Sequence, residues 1–120
     1  MSLIERVNGL IEHMKTGKIL EAMEAFYADN TSMQENSNAP TVGLAANIER
    51  EKQFLASVKE WKSLSVSAVA VEETGPDSGV AFIEYDFDFI STEDQPVRYE
   101  QVTVQHWNNG KIERERFYHE

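Results

Sequence analysis

Three side chains able to carry protons stand out: the carboxyls of Glu35 and Glu115 and the imidazole of His119. Glu35 is the penultimate residue of the stretch YADNTSMQEN, an acid just past Met33 and ahead of the loop SNAPTVG. Glu115 and His119 share one parity of the terminal KIERERFYHE, together with Glu113 and Phe117. In VRYEQVTVQHW the same alternation groups Gln101, Thr103 and Gln105 against Val102, Val104 and His106. Residues of one parity share one face of a strand. Carboxyls and an imidazole on a common face suit general acid–base catalysis, because desolvation raises a carboxyl toward neutrality and histidine already titrates there. A second carboxyl nearby pushes the pair of values further apart.

Other chemistries lose ground. The chain has no cysteine, which excludes disulfides, thiolate zinc sites and thiol redox work. His13, His106 and His119 show no metal-ligand spacing, so no metal is expected. Glu84, Asp86 and Asp88 form an acidic stripe at period two rather than a looped calcium cage. Cross-strand pairing with Arg98, Arg114 and Arg116 accounts for it. His106 has outward parity and is read as a surface or interface residue.

The elements that must position these groups follow from periodicity. Leu3, Ile4, Val7, Leu10, Ile11 and Met14 recur at helical spacing, and KTG ends that helix with Gly17 suited to a left-handed cap. Ile19, Leu20, Met23, Phe26 and Tyr27 mark a second helix closed by Asp29 and Asn30. TSMQE reads as a short strand and NSNAPTVG as a loop. A third helix starts near Gly43 and carries Leu44, Ile48, Phe54 or Leu55, Val58 and Trp61. From SLSVSAVAVEE onward the period is two, through VAFIEYDFDFI, VRYEQVTVQHW and KIERERFYHE, with turns at TGPDSG, STEDQP and NNG. Helices first and antiparallel strands after give an α+β layer fold.

At 120 residues the chain is expected to be one domain, 1–120. Its net charge of −10, from 21 acids and 11 bases, repels phosphate backbones and anionic lipid, so neither nucleic acid nor membrane is an expected partner. No apolar run approaches the roughly 20 residues that span a bilayer. MSLIERVNGL lacks a signal-peptide core, and a cytoplasmic protein is expected.

The element order, FYADNTSMQEN with its following proline and glycine, and the terminal W-NNGKIERERFYHE together resemble the SnoaL-like branch of the nuclear-transport-factor-2-like superfamily. The resemblance covers essentially the whole chain and rests on fold signatures, the junction FYADN and the hairpin NGKI. It implies a cone-shaped antiparallel sheet curled around three N-terminal helices, a cystatin-like α+β roll with a pocket at its wide end. The family includes ketosteroid isomerases, polyketide cyclases, dehydratases, epoxide hydrolases and binding domains without chemistry. Ungapped alignment to the YADDATVEDP segment of ketosteroid isomerases sets Glu35 at the general-base position. The oxyanion positions hold Ile11 and Thr103, which argues against steroid isomerisation.

The same alignment turns Gln101, Thr103, Gln105, Glu113, Glu115, Phe117 and His119 inward. The resemblance therefore implies catalytic roles for Glu35, Glu115 and His119. Tyr27, Tyr85, Phe87, Gln101, Thr103, Gln105 and Phe117 would bind ligand, with Tyr85, Phe87 and Phe89 as the floor. Plain structural roles compete: Glu35 as a solvated strand-end acid, Glu115 in a pair with an arginine or glutamine, His119 merely packed. The function expected is acid–base isomerisation, cyclisation or lyase chemistry, without a cofactor, on a small apolar carbonyl compound. The alternatives are a non-catalytic ligand-binding module and an interaction domain. Outward Phe82, Ile90, Val102 and Val104 suggest a homodimer through the convex sheet face.

Overall fold

Ser2 starts the chain's first helix by a reciprocal cap. Its Oγ accepts from the Glu5 amide at 3.4 Å, and its own amide donates to Glu5 Oε1 at 3.2 Å. The structure, a computed structural model, describes residues 2–120. Helix α1, Leu3–Lys15, buries Leu3, Val7, Leu10 and Ile11 along one stripe. Gly17, at φ +76°, reverses the chain as expected, and the Lys18 amide reaches the His13 carbonyl at 2.8 Å. Helix α2, Ile19–Phe26, follows with Ala22 and Met23 buried.

Strand β1, Tyr27–Glu35, begins directly where α2 stops, so Tyr27 opens a strand rather than closing a helix. Thr41–Val42 forms a short strand β2 within the expected loop, pairing with Met33 and Ser32. Helix α3, Leu44–Ala56, is shorter than its apolar spacing suggested. Val58 and Trp61 belong instead to β3, Val58–Gly75, opposite Ser91 and Phe89 of β4, Ser78–Ser91. The reason is bulging. Register shifts between Val58/Glu60, Trp61/Ser63 and Val66/Ala68 convert steps of two into steps of three, which imitate a helical interval.

Strand β5, Pro96–Asn108, and β6, Lys111–His119, complete a six-stranded sheet in the order β2-β1-β6-β5-β4-β3. Asn109 and Gly110, both at positive φ, make the tight hairpin between them. The sheet is mixed rather than wholly antiparallel, because β1 lies parallel to β6, with Glu35 opposite Phe117. This pairing brings the end of β1 beside the end of the chain. The core joins Leu3, Val7, Leu10 and Met23 of the helices to Ala81, Ile83, Trp107 and Ile112 of the sheet. A bulge between His106 and Trp107 shifts parity, so Ile112 fills the interior at the point where Glu113 was expected. Glu113 does not line the cavity described next.

Candidate functional site

Between the helices and the inner sheet face lies a cavity of about 820 Å³, within the range that holds a metabolite-sized ligand. Glu35, Glu115, His119, Tyr27, Tyr85, Phe87, Gln101, Thr103, Gln105 and Phe117 all line it. Phe89 does not; it is buried behind the wall, edge-on to Phe54 at 5.5 Å.

At the deep end, Glu115 is 2% exposed and accepts three hydrogen bonds. Thr103 Oγ1 donates at 2.7 Å and Gln105 Nε2 at 2.8 Å to one oxygen, and the Tyr27 hydroxyl donates to the other. Trp107 Nε1 in turn donates to Gln105 Oε1 at 3.0 Å. Burial pushes the Glu115 carboxyl up, while its three donors pull against that shift. Tyr27 is held far above the usual phenol range by burial and by Glu115. The polar face that alternation predicted is thus largely satisfied by itself.

At the rim, His119 Nε2 meets Glu35 Oε2 at 2.6 Å, and its Nδ1 meets the Glu120 carbonyl at 3.0 Å. Both ring nitrogens face acceptors, so the ring is favoured as the doubly protonated cation. Its pKa is raised, chiefly by the Glu120 carbonyl and also by Glu35. Glu35 was expected to be desolvated; its side chain is 40% exposed because it sits at the mouth, paired with His119.

The acid missed by sequence reading is Glu51 on α3. It lines the cavity and forms no hydrogen bond that would offset its burial. Burial, then the charges of Glu115 and Glu35, push its carboxyl from 4.5 to about 7. Its signal was present: Glu51 falls on the stripe Leu44, Ile48 and Leu55, where a charged residue breaks the apolar pattern. The opposite wall is aromatic. Phe87 and Tyr99 stack at 5.2 Å, and Trp61 and Phe54 close on Phe87 at 5.8 and 6.2 Å. Among the described residues no group of histidine and acidic side chains is arranged to hold a metal, and no helix is long and apolar enough to cross a membrane.

A curled α+β sheet enclosing an acid-lined cavity defines the class. No protein-family model and no curated protein matches the sequence. Solved structures do. A protein of Mesorhizobium loti provisionally named a SnoaL-like polyketide cyclase matches 98% of this chain over 99% of its own, with TM-score 0.71 and 23% identity. A provisionally named isomerase of Bacillus subtilis matches 100% of this chain over 90% of its own, with TM-score 0.77 and 19% identity. A SnoaL-like polyketide cyclase of Jannaschia, also provisionally named, reaches TM-score 0.80 at 13% identity, covering 98% of this chain and 85% of its own. The fold is therefore the SnoaL-like, nuclear-transport-factor-2-like one.

Proposed function

We propose that the protein binds a small, apolar, carbonyl-bearing compound and moves a proton on it by carboxylate acid–base catalysis, as an isomerase, cyclase or lyase without a cofactor. The observation that carries this reading is Glu51: an acid facing the cavity, with no hydrogen bond to hold its charge and a pKa of about 7. A base poised near the working pH combines a useful fraction of the ionised form with enough basicity to take the proton. In this reading Glu51 removes the proton, and the Glu35–His119 pair at the rim relays or returns one. Glu115 keeps Tyr27, Thr103 and Gln105 in place, and the aromatic wall of Phe87, Tyr99 and Trp61 excludes water.

The test follows hydrogen–deuterium exchange next to the carbonyl, by proton NMR, across a panel of small cyclic ketones and β-diketones. Wild type should catalyse exchange of at least one, and Glu51→Gln should abolish it while remaining folded. Exchange undiminished in Glu51→Gln would refute the mechanism.

A second reading is a binding module without turnover. It is favoured by the polar interior's self-sufficiency, since the donors around Glu115 are already spent. Thermal stabilisation by a ligand that is never converted would support it. On the outer sheet face Phe82 is 41% and Tyr118 44% exposed, and a second copy covering them in a cytoplasmic homodimer is part of the proposal.

A further inference from the structure

Helix α3 presents Asn47, Arg50, Glu51, Phe54 and Leu55 to the cavity, the three- and four-residue steps of one helix face. Two of these residues, Arg50 and Glu51, are adjacent and opposite in charge. Among the described residues neither is ion-paired, with the other or with any third group. Arg50 reaches instead to the short strand β2, where its Nη1 donates to Thr41 Oγ1 at 2.7 Å. A neutral hydroxyl leaves the guanidinium charge uncompensated and most of its donor fork open.

Arg50 is not the only cation on this wall. Lys15 and Lys62 line the same cavity, and Lys62 meets only the exposed Glu60, at 3.3 Å, among the described residues. The chain carries 21 acids to 11 bases, yet the cavity is lined by Lys15, Arg50 and Lys62 against Glu35, Glu51 and Glu115. The two signs are layered. Glu115 is buried at the deep end, whereas Lys15, Arg50 and Lys62 are exposed. His119, at the rim, is favoured as a cation as well. An otherwise acidic molecule thus surrounds its cavity mouth with positive charge, which draws anions to that opening.

We propose that Arg50 binds a carboxylate of the ligand, so that the substrate is an apolar, carbonyl-bearing body with one acidic end. This deepens the proposed function and rests on it. The acidic end stays at the mouth on Arg50, the apolar body lies along Phe54 and Trp61, and the carbonyl reaches Glu51. Phe54 follows Arg50 by one helical turn and its ring lies 6.2 Å from that of Trp61, so the way inward from the guanidinium is aromatic. A carboxylate suits the site better than a phosphate. Its two coplanar oxygens match the guanidinium fork, and a phosphate dianion meets twice the repulsion from the three acids of the cavity. An anchor next to the base on one rigid helix also fixes how far the reacting carbon sits from Glu51.

The test compares 4-phenylbutanoate with its neutral amide, 4-phenylbutanamide, by calorimetry at low and high salt. Wild type should bind the acid at least about tenfold more tightly at low salt, and the preference should narrow as salt rises. Arg50→Gln should erase the preference without changing affinity for the amide, and Arg50→Lys should keep part of it. Equal affinity for acid and amide overturns the proposal, as do a preference undiminished in Arg50→Gln and the absence of saturable binding of the acid. Tighter binding of 4-phenylbutyl phosphate than of the acid overturns the choice of carboxylate. In hydrogen–deuterium exchange of 3-(4-oxocyclohexyl)propanoate, Arg50→Gln should raise KM about tenfold with kcat nearly unchanged, whereas Glu51→Gln should abolish kcat. An acid preference that depends on Arg50, with exchange undiminished in Glu51→Gln, defeats the proposed function and leaves the carboxylate site standing. Exchange lost in Glu51→Gln, with KM unmoved in Arg50→Gln, defeats only the role of Arg50.

Discussion

Replacing Glu51 with glutamine should stabilise the protein, and the gain should depend on pH in a specified direction. In the fold this carboxyl titrates near 7 rather than at its ordinary 4.5. The folded state thus holds a proton that the unfolded chain has already released across that window. Where the folded state binds more protons, stability falls as pH rises. Below about 4.5 Glu51 costs nothing relative to its neutral isostere; above about 7 it carries the full penalty. At about 1.4 kcal/mol per tenfold, that penalty is on the order of 3 kcal/mol. The groups setting it are Glu115 and Glu35, with burial beneath the helices as the larger cause. Glutamine keeps the shape and removes the charge. Urea denaturation of wild type and Glu51→Gln at pH 4.5, 6 and 8 should give superimposable curves at the lowest value and a mutant advantage of roughly 2–3 kcal/mol at the highest. Equal stabilities at pH 8, or an advantage that shrinks as pH rises, would refute the claim that the half-buried Glu51 is desolvated without a compensating partner.

Glu115→Ala strands Tyr27, Thr103 and Gln105 as buried donors and should cost about 3–5 kcal/mol in the same assay, far more than Glu35→Ala. The Glu35 side chain of the Glu35–His119 pair is 40% exposed at the cavity mouth, so a double-mutant cycle should give a coupling under about 1 kcal/mol. Because the His119 pKa is raised above 6.5, that coupling should be complete below pH 6.5 and fade as pH climbs through the folded value. Trp61 lines the cavity and is 48% exposed whereas Trp107 is 4% exposed, so ligand-induced fluorescence change should vanish in Trp61→Phe. Sedimentation at micromolar concentration should show a dimer; a clean 13.7 kDa species would remove the outer-face interface.

The last two strands were legible because alternation is a strict rule. Assigning one parity to the interior grouped Gln101, Thr103, Gln105, Glu113, Glu115, Phe117 and His119, and all of these but Glu113 line the cavity. The rule failed where the backbone broke it. The bulge at His106 and Trp107 moved Ile112 into the slot expected for Glu113, and the bulges in β3 disguised Val58 and Trp61 as helical. No local preference announces such a bulge; cross-strand pairing decides it. The parallel contact of β1 with β6 was equally invisible, since it joins residues 82 to 85 positions apart, such as Glu35 with Phe117 and Tyr27 with Ile112.

Glu51 was missed for a different reason, and that reason bears on the chemistry. Sequence reading ranked acids by likeness to known base positions and so favoured Glu35 and Glu115. The fold sorts them by what satisfies their charge. Glu35 has His119 and water; Glu115 has three donors built around it. Glu51 stands on an apolar stripe with like charges facing it, an arrangement that local stability alone would select against. An acid left without a partner in an otherwise satisfied cavity is the group that the proposed proton transfer would use.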